Sequence, residues 1–268
     1  MGVRIVVDSS AGLPDDIARQ LDIAVAPLHV MEDDGGSTSG LSAIELAAVY
    51  ARQLERGGDA GVVALHLSKN LSSTWSAAVS ASAVFDNTVR VLDTDTAGMA
   101  VGAAAMAAAS LAREGADLDA CAAVAEETLA SSETWLYLSQ LDGLRKSGRL
   151  STGTAVLSAA LLATKPILHV RGGKLELAGK TRTQTKAFIK LTELVQERAA
   201  GEPVFAAIQH ADAENAAQSL ADTLKAVLPE GSRVIVAPLV DAVAVHTGPG
   251  AIGLSAVFSS GFVENAPA

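Results

Sequence analysis

Residues 60–78 read AGVVALHLSKNLSSTWSAA. The run Val62–Leu67 is short, apolar but for His66, and closed by the polar Ser68, Lys69 and Asn70. A strand buried on both faces has that pattern. From Ser72 to Phe85 the chain reads as a helix. A strand feeding straight into a helix is half of a parallel βαβ unit. Working outward, VRIVVD (3–8) precedes LPDDIARQL (13–21), where Pro14 and two acids suit a helix start. DIAVAPLHV (22–30) reads as a second strand, and Ser42 to Arg56 as a helix with Ser42 and Glu45 spaced as a capping box. TVRVLD (88–93) is another strand. Two alanine-rich helices follow, and TWLYLS (134–139) closes the series as a strand. This half predicts a parallel sheet covered on both faces.

The second half differs. KPILHVRGGKLELAGKTRT (165–183) is two alternating strands around Gly172-Gly173, a hairpin signal. Helix 184–199, strand 203–210, helix 213–228 and strand 232–239 follow. Hairpins mixed with helices predict an α+β unit with a mixed or antiparallel sheet. The expected fold class is therefore α/β with two domains: residues 1–150, a parallel-sheet α/β/α unit, and 151–268, an α+β unit.

Of the 268 residues, 49% are hydrophobic, which fills a sizeable core, and only 3% are aromatic, so that core is mostly Ala, Val and Leu. The net charge of -10 argues against a nucleic-acid binder, which needs a basic face. A single cysteine, Cys121, rules out a disulfide within the chain and a cysteine metal cluster, and fits a cytoplasmic protein. The opening MGVRIVVDSS lacks a signal-peptide pattern. Residues 97–112 are the most membrane-like stretch, but fall short of the roughly 20 residues a span needs and read as a buried helix.

Four segments stand out chemically. The loop Ser37-Thr38-Ser39-Gly40 is a hydroxyl cluster that suits either an anion or ordinary turn capping. Residues 65–78 bring the hydroxyls of Ser72, Ser73 and Thr74 to the carboxyl edge of a parallel sheet, where ligands collect, although Ser72 also suits a helix cap. LDGLRKSGRLS (141–151) crowds Arg145, Lys146 and Arg149 around a glycine turn, as an anion site or a solvated cluster. VAVHTGPGAIGL (243–254) ends an apolar run on His246 before a rigid Gly-Pro-Gly turn, which fixes an imidazole with two usable nitrogens. Asp93 and Asp95 read as strand-end and capping residues. No nucleophile elbow, phosphate loop or dinucleotide fingerprint occurs, and the five histidines show no metal spacing.

Together, VDSSAGLP, STSGLS, LSSTWSAA, LRKSGRLS, KPIL with GKTRTQTKA, and HTGPGAIGL resemble, in order, the DegV family of bacterial fatty-acid-binding proteins. The resemblance implies a tunnel between two α/β domains and a long-chain fatty acid as ligand, with no other cofactor and no metal. It implies that Ser72, Thr38 and His246 hold the carboxylate, with Ser39, Ser73 and Thr74 beside them, and that Arg149 ends the junction motif. It further implies a substrate-presenting subunit rather than an enzyme, partnered by an ATP-dependent fatty acid kinase and touching membranes only peripherally. Arg145, Lys146, Arg182 and Lys186 would then contact the head group or the partner. The chain departs from the family's usual loop Thr-Ser-Gln-Pro-Ser at Gly40 and Leu41, from its Ser-Gly-Thr-Tyr at Ser73 and Trp75, and from a junction glycine at Ser147. Two other readings remain: a hydrolase or transferase using Ser72 as nucleophile and His246 as base, and a lipid buffer or sensor without a kinase.

Overall fold

The structure is a computed structural model and describes residues 2–31, 37–141, 144, 148–149 and 164–259. Strands β1 (Arg4–Asp8), β2 (Ala24–Ala26), β5 (Val62–His66) and β6 (Val89–Asp93) form a parallel sheet in the order β2-β1-β5-β6. A six-stranded sheet follows the order β11-β10-β12-β7-β8-β9. Its members are β7 (Ser132–Tyr137), β8 (Lys165–Arg171), β9 (Lys174–Thr181), β10 (Val204–His210), β11 (Arg233–Pro238) and β12 (Ile252–Phe258). Only β10 and β11 pair in parallel there. The two-stranded ribbon of β3 (His29–Met31) and β4 (Ser37–Ser39) stands apart. The expected α/β class, with one parallel and one mixed sheet, is what the chain adopts.

The helices fill the layers between and around the sheets. Helices α2 (Ala43–Gly57) and α3 (Thr74–Ser82) cover the outer face of the parallel sheet, where Val6, Val62 and Ala64 point. Its inner face, with Ile5, Val7, Val63 and Leu65, packs on α4 (Met99–Arg113) and α5 (Leu118–Ala130). The same core takes in Phe205, Ala207 and Val257 of the mixed sheet, so α4 lies sandwiched between the two sheets. Its alanines and Gly102 permit that closeness: a Cβ on Gly102 would lie 2.7 Å from Met99 Sδ and 3.2 Å from the Ala11 carbonyl. Helices α6 (Gln184–Ala199) and α7 (Glu214–Val227) cover the far face of the mixed sheet. The short helices α1 (Asp15–Gln20) and α8 (Asp241–Thr247) complete the described set. No helix among the described residues is long and apolar enough to cross a membrane.

Most local readings hold. Ser42 caps α2 and Glu45 returns the bond to the Ser42 N–H at 2.8 Å, a complete capping box. The β8–β9 hairpin turns on Gly172 and Gly173, both at positive φ. Two readings are corrected. DIAVAPLHV is not one strand, because Pro27 has no N–H to donate and the chain breaks into β2 and β3 around it. TWLYLS does not extend the parallel sheet: β7 lies antiparallel between β12 and β8. An apolar run specifies a strand but not its neighbours. The chain thus enters the second sheet at Ser132; the expected boundary at residue 150 lies outside the described residues.

The hairpin tip reaches back to the parallel sheet. Gly173 N–H donates to the Asp95 carbonyl at 2.6 Å, and Asn70 Nδ2 donates to the Gly172 carbonyl at 2.9 Å. On the other side, Gln209 Nε2 donates to the Gly12 carbonyl at 3.2 Å, and its Oε1 accepts from Met99 N–H at 3.1 Å. The VDSS stretch anchors the strand ends. Buried Asp8 accepts from Ser10 N–H and Oγ, Leu67 N–H and His66 Nδ1. Burial pushes its carboxyl up, but these donors outweigh it and hold the pKa below its usual value. Burial also raises Tyr50, keeping its hydroxyl protonated to donate to His66 Nε2 at 2.7 Å.

Candidate functional site

A cavity of about 300 Å³ opens between the two sheets at the carboxyl ends of β1 and β5. Ligands of open α/β sheets collect at such ends. Its walls are largely apolar, with Leu28, Leu71, Trp135, Leu136, Val170 and Val243 among them. One group of polar side chains on the wall is supplied by β4, the β5–α3 loop, α8 and Arg149.

The β5–α3 loop folds into a tight turn in which Ser72 N–H donates to the Ser68 carbonyl at 3.1 Å. The Ser72 backbone donor is therefore spent, and its hydroxyl is what it offers. Ser72 Oγ accepts from Thr74 N–H at 3.2 Å and sits 2.9 Å from Thr74 Oγ1. Thr74 is fully buried and accepts from Leu41 N–H at 3.3 Å. Either hydroxyl can donate in the Ser72–Thr74 contact; when Thr74 donates, the Ser72 proton is left for a ligand. The helix begins at Thr74, with Ser73 as the residue before it, two residues later than the sequence suggests.

The loop and the helix start meet through Gly40. A Cβ there would lie 2.8 Å from Thr74 Oγ1, 2.9 Å from Ser73 Oγ and 3.2 Å from Ser72 Oγ. Only a residue without a side chain lets the two segments close this far. Thr38, Ser39 and Ser73 all line the cavity beside Ser72.

His246 stands in the last turn of α8. The turn behind it is pinned: Gly250 N–H donates to the Ala211 carbonyl at 2.7 Å, and Ser139 Oγ donates to the Pro249 carbonyl at 2.6 Å. That explains a rigid Gly-Pro-Gly after the histidine. Thr38 Oγ1 lies 2.7 Å from His246 Nε2, and Arg149 Nη1 lies 3.1 Å from His246 Nδ1. A guanidinium only donates, so Nδ1 must accept and Nε2 must carry the proton. Nε2–H then donates to Thr38 Oγ1, and the Thr38 hydroxyl is left to donate elsewhere. Burial, with Arg149 adding repulsion, pushes the imidazole down to a pKa of about 4, so it is neutral near pH 7. Arg149 is held by its Nε–H on the Leu71 carbonyl at 3.1 Å. No carboxylate pairs with Arg149 among the described residues.

The structure thus brings together Ser72, Thr38, His246, Thr74, Ser39, Ser73 and Arg149. The Ser72 and Thr38 hydroxyls and one half-buried cation line a mostly apolar space. Ser72 and His246 are each bonded to other partners and not to each other, so the nucleophile–base contact is not made in this conformation. Arg182 and Lys186 are exposed and do not line the cavity. Arg145 and Lys146 lie outside the described residues. Sequence reasoning missed the polar floor of the cavity, made by Ser10, Thr134, Gln209 and Ser255, and the role of Gly40. Ser10 alone had a signal, inside VDSS; Thr134, Gln209 and Ser255 sit in three separate strands, SETWLY, VFAAIQH and IGLSAVF, with no motif that links them.

A family model described as "Uncharacterised protein, DegV family" matches residues 2–259. A DegV domain-containing protein of Corynebacterium glutamicum is 59% identical over 262 residues, covering 97% of this chain and 95% of that one. The crystal structure of a DegV family protein of C. glutamicum superposes with a TM-score of 0.94 at 58% identity, covering 97% of both chains. A DegV family protein from Thermus thermophilus, whose structure is described by its fatty acid binding, superposes at 0.87 with 29% identity, over 96% of this chain and 99% of that one. This chain belongs to the DegV family.

Proposed function

We propose that this chain binds a long-chain fatty acid in the cavity and presents its carboxylate to a separate ATP-using kinase subunit, which makes the acyl phosphate. In this reading the chain supplies no catalytic group and works as a cytoplasmic carrier that meets membranes only peripherally. The observation that carries the reading is the convergence of the Ser72 and Thr38 hydroxyls, with Arg149 behind His246, on one part of a largely apolar cavity. A buried carboxylate must be hydrogen-bonded, and each charge-assisted bond contributes about 1.5–3 kcal/mol. Burying a methylene contributes roughly 0.8 kcal/mol, so a sixteen-carbon tail contributes on the order of 10 kcal/mol before the entropy of binding is subtracted. The fatty acid binding described for the T. thermophilus relative supports the same ligand class.

The kinase half of the proposal rests on the family resemblance and on exposed cations beside the hairpin and α6, Arg182 and Lys186. Arg182→Glu should leave lipid binding intact and abolish acyl phosphate formation by the kinase subunit; unchanged phosphorylation removes that docking face. The primary test is mass spectrometry of lipid extracted from the purified protein, beside the native mass of the intact complex. One equivalent of non-covalent long-chain fatty acid in wild type, and loss of it in Ser72→Ala, is the expected result. A protein that is empty and resists loading with added fatty acids overturns the reading.

A further inference from the structure

We infer that the cavity floor holds a second polar subsite, built from Thr134 and Ser255 with Gln209, which binds an oxygen carried along the acyl chain. The inference rests on the fatty-acid reading above and refines its substrate class to oxygenated acyl chains, such as hydroxy acids.

The floor is made where β7, β10 and β12 face the start of α4. Thr96 donates its hydroxyl to Thr134 Oγ1 at 3.2 Å, and Thr134 Oγ1 lies 3.1 Å from Ser255 Oγ. Thr134 and Ser255 have two hydroxyl protons and one contact between them. Whichever donates, the other proton has no acceptor among the described residues. Both side chains are more than nine-tenths buried and line the cavity, so the proton faces its interior. Gln209 stands beside them. One Nε2 proton goes to the Gly12 carbonyl and Oε1 accepts from Met99, which leaves the second Nε2 proton unspent. Gly98 keeps this corner open: a Cβ there would lie 3.1 Å from Gln209 Oε1 and 3.6 Å from Ser255 Oγ. Ser10 gives its proton to Asp8 and so offers the floor only lone pairs.

An unspent donor pair on the wall of an apolar tunnel is unfavourable for a plain hydrocarbon tail, which leaves both donors unsatisfied. A ligand hydroxyl accepts from them and donates to an oxygen lone pair of the same cluster, so every polar group is paired. A site built this way discriminates for the oxygen and against the analogue that lacks it.

The test compares dissociation constants of octadecanoic acid and a set of positional hydroxyoctadecanoic acids, for wild type, for Thr134→Val with Ser255→Ala, and for Thr134→Ser. The expected result is that one hydroxy isomer is preferred over the others and over the plain acid by wild type. In the double variant, the ratio of that isomer's constant to the plain acid's shifts by about tenfold or more against the isomer. Thr134→Ser, which keeps the hydroxyl, retains the preference and also shows that the fold tolerates change at this position. If no isomer is preferred, or the ratio is the same in the double variant, the floor cluster is only adhesion between strands and the inference is overturned. If octadecanoic acid itself fails to bind wild type, the fatty-acid reading falls instead, so the two failures are distinct.

Discussion

Replacing Arg149 by methionine should release the tautomer and the proton affinity of His246. In the native protein, Arg149 donates to Nδ1 at 3.1 Å, which confines the ring proton to Nε2 and makes Thr38 an acceptor at 2.7 Å. Burial is the larger cause of the pKa of about 4, and the Arg149 charge is the second. Methionine keeps much of the side-chain volume and removes the charge, the donor to Nδ1 and the Nε–H bond to the Leu71 carbonyl, so the pKa should rise part of the way back toward 6.5. The full displacement from 6.5 to about 4 corresponds to at most about 3.5 kcal/mol, reduced by solvent screening at a half-buried ring. The folded value lies below the unfolded one, so on acidification the unfolded chain takes up the proton first. This contribution to stability is intact above about pH 6.5, falls between 6.5 and about 4, and is flat below. In Arg149→Met that window should narrow. The assay is long-range proton–nitrogen correlation on labelled histidine from pH 8 to 3.5, paired with urea unfolding at each pH. A His246 that carries its proton on Nδ1 at pH 7, or that titrates near 6.5 in wild type, refutes the argument.

Two further substitutions test the joints around the cavity. Gly173→Ala forces φ +69 on an L residue, costing about 1–2 kcal/mol, and puts a Cβ within 1.9 Å of Ser68 Oγ. With the Gly173–Asp95 and Asn70–Gly172 bonds also lost, about 3–4 kcal/mol is at stake, or roughly 6–15 °C in the melting temperature; a drop under about 3 °C contradicts the latch. Gly40→Ala should weaken fatty-acid binding about tenfold by pushing the loop off Ser72 and Thr74, and adding Ser73→Gly should restore part of it, since contacting residues couple by about 0.5–3 kcal/mol; strict additivity in the binding constants refutes the contact.

The elements that sequence made legible are those decided locally. Helix α2 announces itself by Ser42 and Glu45, helix α6 by an unbroken pattern from Gln184 to Ala199, and the β8–β9 hairpin by paired glycines. The sheet that β7 joins was not legible, because Trp135 and Leu136 say how a strand is buried and not which partner buries it. The head-group site was reachable only through the order of six short motifs. Thr38 and His246 are 208 residues apart, and nothing local to either predicts the other. The floor cluster had no signal at all: Thr134 and Ser255 are 121 residues apart and become a site only when two strands pair.

The two departures from the family's usual loop and helix start make physical sense as one change. In the family's usual motifs, as the resemblance gives them, Gln stands at the position of Gly40 and Gly at that of Ser73; in this chain Gly40 faces Ser73. A Cβ on Gly40 would meet Ser73 Oγ at 2.9 Å, so a side chain on both sides does not fit. Moving the glycine across the contact preserves the approach that lets Leu41 N–H reach Thr74, whose hydroxyl in turn contacts Ser72. It also leaves an extra hydroxyl, Ser73, on the cavity wall. The hydroxyl cluster proposed to take the carboxylate is thus kept by geometry, while the loop's own polar surface changes. Differences between members of such a family should then concentrate outside the hydroxyl chain, at the loop face and the cavity floor. On the proposed function, a substitution there should alter which acyl chain fits without disturbing the hydroxyls assigned to the acid.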